Sequence, residues 1–482
     1  MKVLQNLEPK KVFQYFEEIS QIPRGSGNEK AISDYLVSVA KKLNLEVHQD
    51  KALNVIIKKP GTKGYEDSKT VILQGHMDMV CEKNKGTEHD FEKDPIKLRI
   101  IDDMIYATDT TLGADNGIAI AYSLAILDST DIPHPPLEVL ITTDEETGMS
   151  GAMAISKENI NGDILINLDN EEEGHLLVSC AGGIRSKHSL RGSLEDIQDF
   201  TSVLHISVRG LKGGHSGMEI NKERGNSNKI MGRILKSLCD LEYRLVSING
   251  GSKNNAIPRE ADAIIALKDE NLEKAKEIIS SWNSVLVNEL KTQDPGVNVK
   301  VQETNKVDKA FTLTDTKKIV DLLYLIPNGI VTNSVEIEGL VESSTNLGVV
   351  ITEGDTVIYD SAIRSSVASL KDEIVLRSKT IAELFGAVFE TTASYPEWQY
   401  DNESAVRGVC QEVYKRMYGK DAKIVAIHAG VECGLFNEKL GKLDMISFGP
   451  NLYDVHTPEE HMSISSVKNT YEYLLEILKE LK

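Results

Sequence analysis

The chain has 482 residues, of which 40% are hydrophobic and 27% are charged, and its formal net charge is −20. This length exceeds one ordinary hydrophobic core, so we predict a globular protein with two or more domains. The acidic balance argues against nucleic acid and anionic membrane surfaces as partners, because both are bound through basic patches.

The cysteines and the N-terminus indicate the compartment. The five cysteines are widely spaced and form no CxxC pair, which is typical of a reducing compartment and argues against a disulfide framework or a zinc finger. The first residues, MKVLQNLEPKKVFQYFEE, lack the apolar core of a signal peptide. No segment approaches the roughly 20 apolar residues of a membrane span. We therefore expect a cytoplasmic protein without a membrane partner.

The first part of the chain alternates between predicted strands and helices. Hydrophobic periodicity and turn residues predict helices over Pro9–Ile22, Asn28–Leu43 and Gly117–Leu127, a hairpin over Ile96–Ala107, and strands over Asn54–Lys58, Val71–Gln74, Leu137–Thr143 and Asp163–Leu168. This alternation, with polar residues at the strand ends, predicts a doubly wound α/β domain.

His76 and Asp78 follow the strand Val71–Gln74, which we expect Gly75 to end. Side chains two residues apart on extended backbone point to the same side, so the two can act together. A histidine there can bind a metal while the aspartate orients its ring. Alone, this pair is more typical of a buried histidine bonded to a neighbouring aspartate, and the acidic residues downstream favour the metal-binding interpretation.

Acidic residues end the next two strands. Asp144, Glu145 and Glu146 follow Leu137–Thr143, and Asp169 is the first residue after a later apolar run. Adjacent carboxylates repel one another and are costly unless a cation lies among them. A solvated acidic loop is the alternative, and it fits poorly between a buried strand and a turn of small residues.

Asp115 and His456 lie in loops. Asp115 stands at the start of a strong helix, where aspartate is a favoured cap, and the functional alternative is a carboxylate that bridges two metal ions. His456 lies in the loop Gly449–His456, before a closing helix over Ile464–Leu481.

The middle of the chain has a different character, with alternating strands, a glycine-rich loop and longer helices. The predicted elements are strands over Val203–Arg209, Ala256–Leu267, Ser334–Glu338, Asn346–Thr352 and Val357–Ser361, and helices over Asn226–Leu241, Glu270–Leu290, Asp315–Leu325 and Lys371–Leu384. We interpret residues 185–394 as an inserted α+β domain of two similar units. Residues 1–184 and 395–482 then form one α/β domain, the second segment with a helix over Asn402–Tyr418 and strands over Ala422–Ile427 and Met445–Phe448.

Seven strand-end and loop residues form the candidate constellation: His76, Asp78, Asp115, Glu145, Glu146, Asp169 and His456. Two histidines and three carboxylates can hold two zinc-like ions that share one carboxylate. Asp78 and one of the glutamates remain free, one to orient a ligand and the other to act as general base.

The motifs GHMDMV, DTTLGADNGIA, TTDEETGMSGA, INLDNEEEG and VHTPEE resemble those of the co-catalytic zinc exopeptidases, the family of aminoacylase, carboxypeptidase G and the carnosinases. Together with GLKGGHSGMEI, HAGVECG and the chain length, they are most similar to the aminoacyl-histidine dipeptidase (Xaa-His dipeptidase, peptidase D) branch. The likeness covers essentially the whole chain. It implies a catalytic domain with a mixed, mainly parallel sheet, and an inserted lid and dimerisation domain of two ferredoxin-like halves.

The resemblance assigns the metal-binding roles. His76, Asp115 and Asp169 would bind one ion, and Asp115, Glu146 and His456 the other. Asp78 would orient His76, and Glu145 would be the general base and acid. The resemblance also implies a cis peptide between Asp115 and Asn116.

Other roles concern the substrate. His215, in its glycine-rich loop, would donate to the tetrahedral oxyanion, and Arg364 would bind the free C-terminal carboxylate. On sequence alone, Arg364 is equally typical of a surface salt bridge. Asn255 would bind substrate backbone, with adjacent Asn254 an open alternative, and Glu432 would contact the substrate's amino terminus.

The resemblance therefore implies hydrolysis of unblocked dipeptides, Xaa-His among them, by a water activated between two zinc ions. A tripeptidase, or a deacylase acting on N-acyl amino acids, would use the same site residues. A non-catalytic scaffold would lack a ligand or Glu145, and the chain has them all. Cobalt or manganese could replace zinc, because N/O ligands accept all three. Relatives suggest a homodimer.

Overall fold

The computed structural model describes residues 3–482 and divides the chain into two compact units. The first unit comprises Met1–Ser179, Tyr400–Ala426 and Val431–Lys482, and the second comprises Cys180–Gln399 and Ile427–Gly430. Within the described residues, no helix is both long enough and apolar enough to span a membrane.

The N-terminal part of the first unit alternates between helices and strands. In chain order its elements are α1 (Lys10–Ile19), α2 (Lys30–Lys42), β1 (Glu46–Gln49), β2 (Val55–Lys59), β3 (Val71–His76), β4 (Leu98–Ile101), β5 (Met104–Ala107), α3 (Ala114–Leu127), β6 (Leu137–Thr142), α4 (Ser150–Ala154), β7 (Ile164–Asn167) and β8 (His175–Cys180).

The second unit is richer in strands. Its elements are β9 (Gly182–Arg191), β10 (Leu194–Asp196), β11 (Ser202–Arg209), β12 (Gly214–His215), α5 (Ser227–Ser237), β13 (Tyr243–Gly250), β14 (Ala256–Ile257), β15 (Ala261–Leu267), α6 (Leu272–Glu289), β16 (Asn298–Glu303), β17 (Lys309–Phe311), α7 (Leu313–Leu325), β18 (Gly329–Asn333), β19 (Val341–Glu353), β20 (Thr356–Ser365), α8 (Ala368–Phe385) and β21 (Val388–Tyr395), with 3₁₀ turns at Ile220–Lys222 and Asp269–Asn271.

The chain then returns to the first unit. The remaining elements are α9 (Ala405–Tyr418), β22 (Lys423–Ile427), α10 (Glu432–Leu440), β23 (Asp444–Ser447), β24 (Leu452–Tyr453), β25 (His461–Ser463) and α11 (Ile464–Glu480).

The first unit is built on an eight-stranded mixed sheet in the order β1-β2-β6-β3-β7-β23-β8-β22. The central strands β6, β3, β7 and β23 are parallel to one another, whereas β1 and β2, β2 and β6, and β8 and β23 pair antiparallel. Every residue of β3, β6 and β7 is buried, as expected for central strands covered on both faces. The carboxyl ends of β3, β6 and β7 meet at one edge, where His76 is paired in register with Thr142, and Gln74 with Asn167.

The expected end of β3 at Gly75 is wrong, because the strand continues through Gly75 to His76. A Cβ atom at Gly75 would collide with the Asn116 and Ala119 side chains. The glycine therefore allows α3 to approach β3 closely, and it places His76 on the rigid strand rather than in the following loop.

The second unit contains one continuous nine-stranded antiparallel sheet. Its order is β16-β11-β15-β13-β19-β20-β9-β21, with β18 paired to β19. Buried residues of α5, α6 and α7 form one hydrophobic core with the sheet. The α+β character expected for this part of the chain is therefore present, with both of its halves contributing to a single sheet.

Two strand predictions in the second unit are wrong in detail. Residues 334–338 are not a strand, because the Ser334 hydroxyl accepts hydrogen bonds from the backbone N–H groups of Glu336 and Ile337 and turns the chain there. The predicted strand over 256–267 is divided into β14 and β15. Pro258, which lies between them, has no N–H to donate to a ladder.

Candidate functional site

The structure brings the five predicted metal-binding residues together in the first unit. The two carboxylate oxygens of Asp115 face two different imidazoles, with Oδ1 3.1 Å from His76 Nε2 and Oδ2 3.1 Å from His456 Nε2. His76 Nε2 also lies 3.3 Å from Asp169 Oδ1, and His456 Nε2 lies 3.0 Å from Glu146 Oε2. Asp115 is thus shared by two groups of potential ligands.

Local backbone geometry places Asp115 between the histidines. Asp115 and Asn116 have non-helical dihedral angles at the start of α3, and regular helix begins at Gly117. The Asp115–Asn116 peptide is cis, as the resemblance implied. The Asn116 side chain donates to Leu168 O at 2.8 Å and accepts from His76 N at 3.3 Å, so it links α3 to the two strand ends.

The donor set fits divalent metal ions. One ligand atom each from His76, Asp115 and Glu146 lies within 4.8 Å of the other two. Within residues 3–482, Glu146 Oε1 is buried without a hydrogen-bond partner, and a buried polar atom without a partner requires an explanation. Imidazole nitrogens and carboxylate oxygens are ligands for zinc and related ions. A cation would satisfy these oxygens and separate the negative charges.

The close contacts within the cluster shift the pKa values of its members. Hydrogen bonds to Asp115 and Glu146 raise the pKa of His456 to about 11. Burial opposes the ionisation of Asp115, yet hydrogen bonds from His456 and His76 outweigh burial and hold its pKa below the ordinary value. Burial, with the charges of Asp115 and Glu146, raises the pKa of Asp169 to about 7 despite His76. The carboxylates therefore need more positive charge than the imidazoles supply.

The carboxyl group of Glu145 has a strongly raised pKa. Burial raises its pKa to about 9, and the negative charges of Asp169, Glu432 and Glu146 add to this, although His76 opposes it. A carboxyl group with a raised pKa beside a candidate metal site is typical of a catalytic acid or base. A cation beside it would lower this pKa toward neutrality.

Asp78 contacts both the histidine and the acidic loop. Its backbone oxygen lies 3.2 Å from His76 Nδ1 and its carboxylate oxygen Oδ1 lies 3.4 Å from that atom. The carboxylate accepts hydrogen bonds from Ser26 Oγ at 2.8 Å and from the backbone N–H groups of Glu145 and Glu146 at 3.1 and 3.2 Å. One buried side chain therefore fixes the His76 ring and the loop that follows β6.

The raised pKa values predict how stability depends on pH. Between their ordinary values of 3.8 and 4.5 and their folded values of about 7 and 9, Asp169 and Glu145 hold protons that the unfolded chain has released. His456 does the same between pH 6.5 and about 11. The folded state binds more protons in all three windows, so these three groups make the free energy of unfolding fall as pH rises. His428 and Lys229, whose pKa values burial lowers to about 3 and about 7, act in the opposite sense and lie in the second unit.

The melting temperature of chelator-treated protein is therefore expected to fall more steeply between pH 5 and pH 9 than that of zinc-loaded protein. Excess zinc should flatten this dependence, because the bound cation replaces the protons. In chelator, Glu145→Gln should reduce the dependence of the melting temperature on pH. Glu172→Gln, which changes an exposed glutamate of the loop after β7, should leave this dependence unchanged. Equal slopes with and without zinc would contradict the assignment of these groups to a cation site.

The second unit contains His215, whose tautomer is fixed by its loop. The backbone N–H groups of Gly217 and Met218 donate to His215 Nδ1 at 3.3 and 3.1 Å. Nδ1 is therefore an acceptor, and the ring proton of a neutral His215 lies on Nε2. Burial and the charge of Arg364 lower the pKa of His215, so the ring is neutral near pH 7 and presents Nε2–H as a donor.

Arg364 is buried, so it is not the surface salt-bridge residue that was an alternative on sequence alone. Its Nη1 donates to Tyr395 Oη at 2.8 Å, its Nε has no partner, and no carboxylate within residues 3–482 forms an ion pair with it. His428 Nε2 is bonded to Ser344 Oγ at 2.7 Å, and burial and the charge of Arg364 lower its pKa to about 3. The Arg364 charge therefore lacks a counter-ion in the described residues.

Asn254 and Asn255 have different environments. The Asn254 side chain is buried and lies 3.4 Å from both carboxylate oxygens of Asp360. Asn255 is exposed, and its backbone oxygen accepts from Ser216 N at 2.9 Å, next to the β12–β14 pairing that holds His215. The Asn255 side chain is therefore exposed, whereas the Asn254 side chain is buried against Asp360.

Glu432 is 1% exposed in the first unit. Its Oε2 accepts from Gln74 Nε2 at 2.6 Å and from Thr142 Oγ1 at 2.9 Å, while Oε1 has no hydrogen-bond partner among residues 3–482. Burial raises its pKa to about 7. Sequence analysis did not single out Gln74 or Thr142, although both are polar residues in buried, mostly apolar strands.

Two buried ionic residues beside the cluster also escaped sequence analysis. Arg24 lies between the predicted helices over Pro9–Ile22 and Asn28–Leu43, and Glu460 is the second glutamate of VHTPEE. Each is 2% exposed. A full charge that is buried needs compensating partners, but sequence alone does not reveal which surface-type residues are buried.

The fold and the site define a class of metallopeptidase. A model described as "Peptidase family M20/M25/M40" matches residues 72–480, and the chain belongs to this family. The resemblance inferred from the motifs is thereby confirmed.

The relatives extend over the whole chain. The "Cytosol non-specific dipeptidase" of Escherichia coli (strain K12) is 39% identical over 482 residues, which cover 100% of this chain and 99% of the relative. A crystal structure of aminoacylhistidine dipeptidase from Vibrio alginolyticus superposes with a TM-score of 0.96 and 39% identity, covering 99% of this chain and 98% of that chain. The aminopeptidase PepT from Bacillus cereus, with a TM-score of 0.57 and 16% identity over 98% of this chain and 99% of that one, shares the fold.

Proposed function

We propose that this protein is a metal-dependent dipeptidase that hydrolyses the peptide bond of unblocked dipeptides, Xaa-His among them. The observation that supports this most directly is the pair of imidazoles, His76 and His456, that face the two oxygens of Asp115. Similarity over the full length to relatives named as dipeptidases supports the substrate class.

Two divalent ions, zinc in the first instance, would occupy the cluster. His76, Asp115 and Asp169 would hold one ion, and Asp115, Glu146 and His456 the other. When bound, the ions would supply Lewis acidity and lower the pKa of a coordinated water. Asp78 would keep His76 and the acidic loop in position through the hydrogen bonds described above.

Glu145 would act as general base and then as general acid. Its carboxylate would take the proton from the attacking water and pass it to the nitrogen of the leaving amino acid. The burial and neighbouring negative charges that raise its pKa favour a group that can hold a proton between these two steps. Its backbone N–H is anchored on Asp78, which limits the movement of the loop.

Residues of the second unit would complete substrate recognition. His215 would donate from Nε2 to the developing oxyanion, a role consistent with the fixed tautomer of its neutral ring. Arg364, a buried cation without a carboxylate partner among the described residues, would bind the C-terminal carboxylate of the dipeptide. Asn255 would bind the substrate backbone.

Glu432 would interact with the amino terminus of the substrate. Its free oxygen Oε1 and its raised pKa agree with a carboxyl group that gains a positively charged partner on binding. From the motif resemblance we also propose a homodimer, in which residues 185–394 form a lid and dimerisation domain of two ferredoxin-like halves. The relative named a cytosol dipeptidase supports a cytoplasmic location.

A panel of small substrates tests the proposal. Zinc-loaded protein is expected to cleave carnosine, Gly-His and Ala-Ala, and to leave Ala-Ala-Ala and an N-acetyl amino acid intact. Chelator should abolish cleavage, and zinc should restore it. Cleavage of the tripeptide or the acetylated substrate would show a tripeptidase or a deacylase instead. Metal-loaded protein that cleaves none of the panel would contradict an enzymatic role.

Replacing Arg364 by lysine is expected to raise KM for dipeptides by roughly 10–100-fold, because an ammonium group cannot form the bidentate pair and charged hydrogen bonds contribute about 1.5–3 kcal/mol. The wild type should also discriminate strongly against a dipeptide amide, which lacks the carboxylate, and Arg364→Lys should lose most of this discrimination. Arg185→Lys, on the neighbouring strand, is the control. Undiminished discrimination in Arg364→Lys would contradict the role.

A further inference from the structure

Glu460 holds the backbone of the segment that leads to Asp115. Its Oε2 accepts from the N–H groups of Leu112 and Gly113 at 2.8 and 3.0 Å, and its Oε1 accepts from those of Ala114 and Asp115 at 2.8 and 3.4 Å. Four consecutive N–H groups therefore converge on one buried carboxylate. Because Glu460 follows His456 by four residues, the same loop supplies one candidate ligand and fixes the approach to another.

Arg24 joins two ligand-bearing segments. Its Nη1 donates to the carbonyl oxygens of Met77 and Asp78 at 3.0 and 3.2 Å, and its Nη2 donates to the carbonyl oxygen of Gly113. The planar guanidinium thus spans the segment just after His76 and the segment just before Asp115. A lysine ammonium lacks this fixed fork of donors.

Two glycines of the motif LGADNG make room for the guanidinium. Gly113 has φ +70°, and a Cβ atom there would collide with Arg24 and Met79. A Cβ atom at Gly117 would lie 2.6 Å from Arg24 Nη2 and 3.2 Å from Ile19 Cδ1. Gly113 is also favoured by its positive φ, which other residues rarely adopt. Gly117 lies in regular helix, so the close approach of Arg24 is the reason that a glycine is needed there.

The two charges compensate each other within the unit. Burial lowers the pKa of Arg24, and Glu460 is the strongest of the carboxylates that oppose this effect. Burial raises the pKa of Glu460, whereas the backbone N–H groups that it accepts lower it. Together the two side chains bond the carbonyl oxygens of Met77, Asp78 and Gly113 and the backbone N–H groups of residues 112–115.

We propose that Arg24 and Glu460 are positioning residues that hold the Asp115 segment against the end of β3, and that they thereby set the affinity of the site for its metal ions. This inference rests on the proposed function only in assuming that the cluster binds metal. Neither residue needs to touch an ion or the substrate. The competing explanation is that both are simply buried charges that contribute to folding.

Glu460→Gln and Arg24→Lys test the proposal by direct metal binding. Metal-depleted protein would be titrated with zinc by calorimetry and by competition with a chromophoric chelator, and bound zinc would be counted after dialysis. Both variants are expected to bind zinc about 10–100-fold more weakly, as found for residues that orient metal ligands. At saturating zinc, KM for Ala-Ala should stay within about twofold of the wild type.

Glu138 provides a matched control. It is 3% exposed, belongs to the same unit, and accepts from the backbone N–H groups of Asn161 and Gly162, each at 2.9 Å to Oε2. It stands near the start of β6, away from the carboxyl ends that hold the ligands. Glu138→Gln is expected to lower the melting temperature while leaving zinc affinity unchanged.

Gly117→Ala gives a second test that does not remove a buried charge. The added methyl group must displace the Arg24 guanidinium, and the variant is expected to weaken zinc binding although alanine favours helix. Gly408→Ala in α9, where a Cβ atom meets nothing within 4 Å, should bind zinc normally. If Glu460→Gln or Arg24→Lys does not fold, the result for Gly117→Ala decides.

The outcomes separate this inference from the proposed function. Wild-type zinc affinity in Glu460→Gln and Gly117→Ala would overturn the positioning role, and so would an equal loss of affinity in Glu138→Gln. Wild-type protein that binds two zinc ions and cleaves no dipeptide would overturn the proposed function, and weaker zinc binding by the variants would still support the positioning role.

Discussion

Glu145→Gln is expected to lower kcat for dipeptide hydrolysis by about 10²–10⁴-fold, the range that general acid–base catalysis contributes. Glutamine preserves the shape of the side chain but cannot accept a proton and return it. Because Glu145 forms no ion pair with His76 or His456 in the described residues, two zinc ions should remain bound. KM should change little. Steady-state kinetics and a zinc count on the same preparation measure both quantities.

The matched control is Glu172→Gln, which changes an exposed glutamate of the acidic loop after β7. It is expected to retain wild-type kcat. A Glu145→Gln variant with two bound zinc ions and undiminished kcat would show that another group moves the proton. Loss of zinc from Glu145→Gln would place the residue among the ligands instead.

The second large effect is expected for Asp115→Asn. An amide presents one neutral oxygen where the carboxylate presents two charged ones, so the two groups of ligands no longer share a charge. Both ions should bind more weakly, by more than the about 10–100-fold that is typical of residues outside the ligand set. Activity at stoichiometric zinc should be lost.

Glu172→Gln again serves as the control, since it also removes one negative charge but keeps the shared carboxylate, and it is expected to bind both ions as the wild type does. Zinc titration of both variants is the measurement. Tight binding of two ions by Asp115→Asn would contradict a bridging role. Tight binding of one ion would indicate that Asp115 serves only one of the two groups.

Most of the candidate cluster could be predicted because its signals are local. His76 is the last residue of a buried strand, and the acids after β6 and Asp169 follow buried strands. The sheet brings the carboxyl ends of these strands to one edge. Helix and strand periodicity likewise placed most of the elements, since burial imposes that periodicity on each segment separately.

Contacts between distant residues could not be predicted. Glu460 accepts N–H groups from residues about 345 positions earlier in the chain, and no local pattern distinguishes it from exposed Glu459. Gly75 looks like a strand end in sequence, because the close approach of α3 becomes visible only in three dimensions. The turn at Ser334 forms because its hydroxyl accepts hydrogen bonds from backbone N–H groups that a strand would use for pairing. The alternation of apolar and polar residues after Ser334 is typical of a strand, so the sequence predicted one.

The central claim is that two metal ions in this cluster support dipeptide hydrolysis, and a zinc titration tests it most directly. Metal-depleted protein would receive increasing zinc while Ala-Ala hydrolysis and bound zinc are measured together. Activity is predicted to be absent without zinc and to reach its plateau at two ions per chain. Full activity in the depleted protein, or no hydrolysis with both ions bound, would contradict the claim.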